Sequence, residues 1–186
     1  MLCSIRSAAL GALVAFASLA PASTAQAGEI PIGPHDVATT FFINKSDDTN
    51  RVDYGIRLDA ACAPASDDAI FSYWRIFEKS PPVRTQELSL LDRIPYGIAE
   101  QHRLPVTPNG AEYALKLKQL TRPIVITTKR EPDGRCTATA RTTINGSTAL
   151  LLSVYVKLAG FASVDYIDVV GRNLETGASI TERIKK

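Results

Sequence analysis

Hydrophobic and polar residues alternate along much of the chain, most clearly in VDYGIRLD, residues 52–59. Every second side chain of this segment is apolar, and Asp, Gly and Arg lie between them. Period-two alternation places the apolar side chains on one face of an extended strand. The turn-forming SDDTN separates this segment from the apolar TTFFINK before it. The sequence therefore predicts a β-hairpin with one buried face.

Six further segments have β-like composition and are separated by short turns. They are EYALKLKQL (112–120), PIVITTK (123–129), RCTATARTTI (135–144), STALLLSVYVKL (147–158), VDYIDVVGR (164–172) and ASITERI (178–184). Strands this numerous, this short and this locally connected favour an antiparallel all-β fold.

The dipeptide at 145 and 146 is Asn-Gly, which is the strongest local hairpin signal in the chain. Both central residues of a type I′ turn need positive φ, and Asn and Gly tolerate it best. A two-residue turn places Ile144 opposite Ser147. If no bulge intervenes, the same register brings Cys136 near Tyr155.

The segment AIFSYWRIFE, residues 69–78, is largely apolar on both faces of a strand. One face carries Ile70, Ser72, Trp74 and Ile76, and the other carries Phe71, Tyr73, Arg75 and Phe77. This pattern predicts a central strand that is covered by the core on one face and by a short helix, a loop or a ligand on the other. Trp74 is interpreted as a core residue.

Arg75 is the exception on this strand, because an unpaired buried guanidinium costs several kcal/mol. One interpretation is an internal ion pair with Asp92 or Glu87 from the covering helix. The other is that Arg75 faces a pocket and binds an anionic group there.

One segment departs from the strand pattern. In RTQELSLLDRIPYGI the residues Leu88, Leu91 and Ile94 recur at helical spacing, and Pro95 opposes continuation. The sequence thus predicts a single antiparallel β-sandwich or a closed meander barrel with one short helix at about residues 86–93.

The first 27 residues have the features of a secretory signal peptide. Arg6 precedes an alanine-rich apolar stretch, and AQA before Gly28 is typical of a cleavage site. We expect cleavage after Ala27, an extended segment at 28–38, a single β domain at 39–186, and a periplasmic or secreted location in a bacterium. No later apolar run is long enough for a membrane helix, so the sequence does not predict an integral membrane protein.

The predicted cleavage removes one basic residue and no acidic one, which reduces the 21 basic residues to 20 against 19 acidic ones. A net charge near zero gives no electrostatic reason to expect nucleic-acid binding. Two cysteines, Cys62 and Cys136, remain, and in an oxidising compartment they are expected to form a disulfide. No ligand spacing typical of a metal or a cofactor site is present.

Catalytic signatures are also missing from the sequence, so no catalytic residue is predicted and a non-enzymatic role is favoured. His102 is interpreted as a surface residue rather than as a general base. The paired acids at 47–48 and 67–68 are interpreted as turn residues rather than as calcium ligands.

Several spaced motifs resemble a known family. They are NRVDYGIRLD, YWRIFE, ELSLLDRIPYGI, TTING, VYVKL, VDYIDVVGR and TGASITERIK, and the resemblance runs over about residues 41–185. Together they resemble a family of secreted bacterial proteins known as the domain of unknown function numbered 4833. The resemblance implies no activity, ligand or catalytic residue, and the cysteine pair is not part of its pattern.

Three hypotheses follow for the function. The first is a binding domain for a small or lipid-like ligand, with Tyr73, Arg75, Arg93 and Tyr96 as the ligand-binding residues. The second is an envelope-associated protein interaction module, which predicts an exposed apolar patch or a free strand edge. The third is a hydrolase without a familiar motif, which predicts a pocket where His102 or a carboxylate meets Arg93 or Arg75.

Overall fold

The computed structural model describes residues 30–45, 48–77, 83–107, 110–160 and 163–186. The predicted signal peptide at 1–27 lies outside the described residues, and so does the beginning of the predicted segment at 28–38.

The described chain forms eleven strands and one short helix. The strands are β1 Val37–Lys45, β2 Arg51–Ile56, β3 Ile70–Ile76, β4 Arg84–Glu87, β5 Ile98–Arg103, β6 Ala111–Leu117, β7 Ile124–Arg130, β8 Cys136–Ile144, β9 Ser147–Leu158, β10 Val164–Asn173 and β11 Ser179–Lys185, and the helix is α1 Arg93–Tyr96. The all-β prediction is confirmed. Only β4 and β5, whose sequences RTQE and IAEQHR lack apolar alternation, have no counterpart among the predicted strands.

All eleven strands belong to one sheet that forks at β9. One edge of β9 pairs with β8 through residues 147–150 and then with β1 through residues 153–156. The other edge pairs with β10, which in turn pairs with β11. We call β1–β2–β3–β4 the first arm and β8–β7–β6–β5 the second arm.

The sheet does not close into a barrel, because β4, β5 and β11 each pair with a strand on one side only. The sheet is also not purely antiparallel, since β1 runs parallel to β9. These two strands are far apart in sequence, and no turn between them could have indicated the pairing.

The predicted turn between β8 and β9 is confirmed. Asn145 and Gly146 both have positive φ, of 48° and 77°, and Ile144 pairs with Ser147. The extension of this register to Cys136 and Tyr155 is wrong. The ladder ends when β9 leaves β8 and pairs with β1.

The helix lies later than predicted. Residues 84–87 are strand β4, and α1 begins at Arg93, where the predicted helix ends. Pro95 is inside the helix, because a proline in the first turn removes an amide that has no intrahelical partner. Ser89 and Asp92 bond reciprocally in the turn before it, with Ser89 Oγ 2.6 Å from the Asp92 carboxylate.

Side chains from both arms form one hydrophobic core. Tyr54 and Ile56 of the first arm and Tyr113 and Ile126 of the second arm are fully buried in it. Trp74 packs against the same cluster, as expected of a core residue. No helix in the described part of the chain has the length and hydrophobicity needed to span a membrane.

The predicted disulfide is present and joins Cys62 to Cys136 across 74 residues, with the Cα atoms 5.3 Å apart. Cys62 lies in the turn after β2, and Cys136 is the first residue of β8. The bond therefore connects the loop between β2 and β3 of the first arm to strand β8 of the second arm.

Candidate functional site

Arg75 takes part in a buried ion cluster on the sheet face that points away from the core. Asp53 of β2 is 0% exposed, and its carboxylate accepts hydrogen bonds from Arg75 Nε at 2.6 Å and from Arg51 Nε at 2.7 Å. Thr39 Oγ1 donates a third at 2.7 Å. The internal ion pair expected for Arg75 exists, but neither Asp92 nor Glu87 is its partner.

Tyr73 completes the surroundings of Arg75. Arg75 Nη2 donates to the Tyr73 hydroxyl at 3.0 Å, and that hydroxyl donates to the Ala38 carbonyl oxygen at 3.1 Å. Burial lowers the pKa of the Arg75 guanidinium, but Asp53 and Tyr73 outweigh burial and raise this pKa overall. The Arg75 guanidinium is therefore paired within the fold, with a carboxylate that it shares with Arg51.

Tyr96 lies on the opposite side of β3. Its ring packs edge-on against Trp74 with ring centroids 5.5 Å apart, and Trp74 points to the core face. The Tyr54 hydroxyl donates to the Tyr96 carbonyl oxygen. Burial, assisted by the Asp92 and Asp48 carboxylates, raises the pKa of the Tyr96 hydroxyl. α1 thus covers the core face of β3, so Tyr96 shares no pocket with Tyr73 and Arg75.

Arg93 lines a different cavity, of about 490 Å³, between β3 and the segment from β4 to β5. We call this cavity the cationic cleft. Its charged lining residues are Arg57, Arg93, Lys118 and Glu87. Its apolar lining residues are Ile30, Ile70, Phe71, Leu88 and Ile98.

The aromatic floor of the cationic cleft depends on Gly55. Gly55 pairs with Phe71 across β2 and β3, and a Cβ at position 55 would lie 2.5 Å from the Phe71 ring. The glycine therefore lets the ring lie close to the sheet. The Arg57 guanidinium stands 5.0 Å from the ring centroid, in a cation–π arrangement.

Gly97 lets the backbone of α1 and the Lys118 side chain approach each other closely. A Cβ at position 97 would lie 2.3 Å from the Arg93 carbonyl oxygen and 3.2 Å from Lys118 Cε. The Lys118 amide also donates to the Gly97 carbonyl oxygen at 3.0 Å. Arg93 Nε donates to the Leu88 carbonyl oxygen at 3.3 Å, so its side chain is held at the cleft.

None of the three cations of the cleft forms an ion pair with a described residue. Three cationic side chains and the single carboxylate of Glu87 leave the lining with an excess of positive charge. Uncompensated cations around an apolar floor favour binding of an anion that carries an apolar group.

His102 lies at a separate pocket of about 250 Å³, with Glu100 and Lys116. Glu100 is paired with Lys116 at 3.2 Å, and neither Arg75 nor Arg93 lines this pocket. The arrangement predicted for a hydrolase is therefore not assembled there. Among the described residues, no cluster of His, Cys, Asp and Glu could hold a metal ion.

The sequence predicted that Arg93 lines a pocket with Tyr73, Arg75 and Tyr96, but none of those three lines the cleft that Arg93 does. The cleft residues Arg57, Phe71 and Lys118 were not predicted in that role. Arg57 and Lys118 occupy the polar positions of alternating segments, where charged residues are ordinarily solvated. The pairing of Gly55 with Phe71 is the one signal that could have indicated the floor, and it depends on the register of two strands.

No curated protein and no solved structure matches the chain. A family model does match it, over residues 41–183, and this range includes both arms of the sheet except the first four residues of β1, together with Arg57, Arg93 and Lys118. The chain therefore belongs to the family described as Domain of unknown function (DUF4833).

Proposed function

We propose that this protein is a binding domain that holds a small amphipathic anion in the cationic cleft. The observation that carries the proposal is the set of three cations, Arg57, Arg93 and Lys118, without carboxylate partners in the described chain. A cavity of about 490 Å³ is within the range of sites for small organic ligands. The Phe71 ring and the aliphatic lining provide the apolar surface.

We also propose that the protein acts in the periplasm or after secretion, as a mature chain that begins after Ala27. The Cys62–Cys136 disulfide supports this location, because such bonds persist in oxidising compartments.

We further propose that the two arms of the sheet pack as the layers of a β-sandwich, which their shared hydrophobic core supports.

The test uses 8-anilinonaphthalene-1-sulfonate, which combines a sulfonate with apolar rings and fluoresces in apolar surroundings. We expect Arg93→Ala and Lys118→Ala each to weaken its binding by about tenfold, because each removes a charge-assisted contact. Binding should also weaken as salt rises, since salt screens partly exposed charges.

Arg183→Ala is the matched control. Arg183 is a cation that lies 3.9 Å over the Tyr166 ring and pairs with Asp168, outside the cationic cleft. Equal losses for this variant and the cleft variants would show nonspecific attraction and contradict the proposal. If the cleft variants lose more affinity than the control, native mass spectrometry of protein purified from the periplasm would identify the ligand.

A further inference from the structure

Three large apolar side chains project into solvent beside α1. Leu90 is 83% exposed, Leu91 61% and Ile94 44%. We call these three residues the apolar tip. Single exposed apolar side chains are ordinary on a protein surface, but three within five consecutive positions form a local patch.

The fold holds the apolar tip in place. Leu90 and Leu91 lie between Ser89 and Asp92, whose reciprocal hydrogen bonds fix the turn. Directly after Ile94, the buried residues Pro95 and Tyr96 anchor α1 to the core. The leucines are therefore presented by a rigid turn, so little conformational entropy is lost when the tip binds a partner.

Two cations accompany the apolar tip. Lys45, at the end of β1, lines a cavity of about 240 Å³ with Leu91 and Ile94. Arg93 is exposed within α1 itself. Neither side chain forms an ion pair within the described chain, and Asp92, whose carboxylate accepts a hydrogen bond from the Ser89 hydroxyl, lines the same cavity as Lys45. Two cations without an ion-pair partner and one carboxylate thus flank the tip.

We propose that the apolar tip inserts into the surface of an anionic lipid bilayer, with Lys45 and Arg93 at the level of the lipid phosphates. Leucines flanked by basic residues match the two layers of such a surface, an apolar interior and anionic headgroups. A stable protein partner would need roughly 800 Å² on each side, which three protruding side chains do not supply. The proposal shares Arg93 with the cationic cleft, but the apolar side chains that carry it lie outside the cleft lining.

The experiment measures energy transfer from Trp74, the only tryptophan of the chain, to dansyl-labelled lipid in vesicles. Trp74 contacts Tyr96 of α1, so it lies behind the tip. We expect transfer with vesicles of phosphatidylglycerol and phosphatidylcholine, and much less with phosphatidylcholine alone. The double variant Leu90→Ser/Leu91→Ser should reduce vesicle affinity by about tenfold or more.

The matched control is Val106→Ser/Leu174→Ser, which removes two apolar side chains, 79% and 50% exposed, from other loops. Equal loss of affinity in the two double variants would overturn the proposal. Absence of transfer from the unmodified protein with both kinds of vesicle would also overturn it and would leave a protein as the partner of the tip. The anilinonaphthalene probe should bind the tip variant normally, so failure of this proposal and failure of the cleft proposal are distinguishable.

Discussion

Asp53 shows how one residue can determine the role of its neighbours. Its buried carboxylate is bound by Arg51, Arg75 and Thr39, so a ligand that recruited any of these groups would weaken the pairing of a buried charge. Removing the sole partner of a buried charge typically costs roughly 3–5 kcal/mol, and removing one of several partners costs less. Loss of function in an Arg75 variant would therefore indicate damage to the fold rather than to a binding site.

Glu182 leads to a prediction about pH. Arg122 donates to both carboxylate oxygens at 2.7 Å, and the Asn145 amide donates at 2.6 Å. These hydrogen bonds, the one from Arg122 first, lower the pKa of Glu182 from 4.5 to about 2. Because the folded pKa lies below the unfolded value, the stabilisation is complete above about pH 4.5 and is lost as pH falls toward 2.

Urea unfolding at a series of pH values would measure this effect. We expect Glu182→Gln to be less stable than the unmodified protein at neutral pH, with the difference shrinking between pH 4.5 and pH 2. Glu175→Gln, at an exposed position in the turn before β11, is the control. A stability difference for Glu182→Gln that does not change with pH would contradict the assignment.

The residues also show what the sequence could and could not predict about the site. The composition of β3 indicates that Arg75 needs a partner, since a buried guanidinium cannot remain unpaired. The identity of that partner depends on register: Asp53 pairs directly with Tyr73, which places it diagonally opposite Arg75. No local pattern specifies that neighbour.

Among the elements, the hairpin of β8 and β9 provides a test of turn chemistry. Gly146 has φ of 77°, and no atom lies within 4 Å of a Cβ built on it, so only backbone strain opposes a side chain there. We expect Gly146→Val to destabilise the fold by about 1–2 kcal/mol. This corresponds to a fall of roughly 2–8 °C in the melting temperature.

Gly146→Asn is the matched variant, because asparagine tolerates the left-handed region far better than valine does. Calorimetry of both proteins separates the strain from the mere addition of a side chain. Equal melting temperatures for the two variants would count against the turn as the source of the effect.

The sequence predicted an element well where two adjacent residues specify its conformation. It predicted an element poorly where the same apolar spacing is compatible with a helix, a strand or a turn. The turn between β8 and β9 needs two adjacent residues of the right type, and it forms as predicted. The helical spacing of Leu88, Leu91 and Ile94 instead arises in a segment that leaves β4, makes a turn and only then enters α1. Apolar spacing alone could not distinguish these alternatives.

At the scale of the whole molecule, the forked sheet was beyond prediction because its decisive contacts join distant parts of the chain. The parallel pairing of β1 with β9 links residues 42–45 to residues 153–156. Across the arms, the Ala69 amide donates to the Tyr113 hydroxyl at 3.2 Å, and the Ile70 amide donates to Gln101 Oε1 at 3.1 Å. Alternation indicates which face of a strand is buried, but not which strand lies opposite.

The disulfide is the one long-range contact that the sequence did predict, and it leads to the last prediction. Cys62 and Cys136 close a loop with a sequence separation of 74 residues. On the chain-entropy model, a cross-link of this span stabilises the fold by roughly 4 kcal/mol, because it restricts the unfolded chain. Cys62→Ala/Cys136→Ala should therefore lower the free energy of unfolding by about that amount, measured with urea.

Two controls make the disulfide prediction specific. Thiol labelling of the denatured, unreduced protein should find no free thiol at either position. A reductant should lower the stability of the unmodified protein by an amount similar to the double substitution and leave the variant unchanged, because only the unmodified protein has the bond. If the reductant destabilises both proteins equally, the loss has another source, and the connection between the arms depends on the shared core alone.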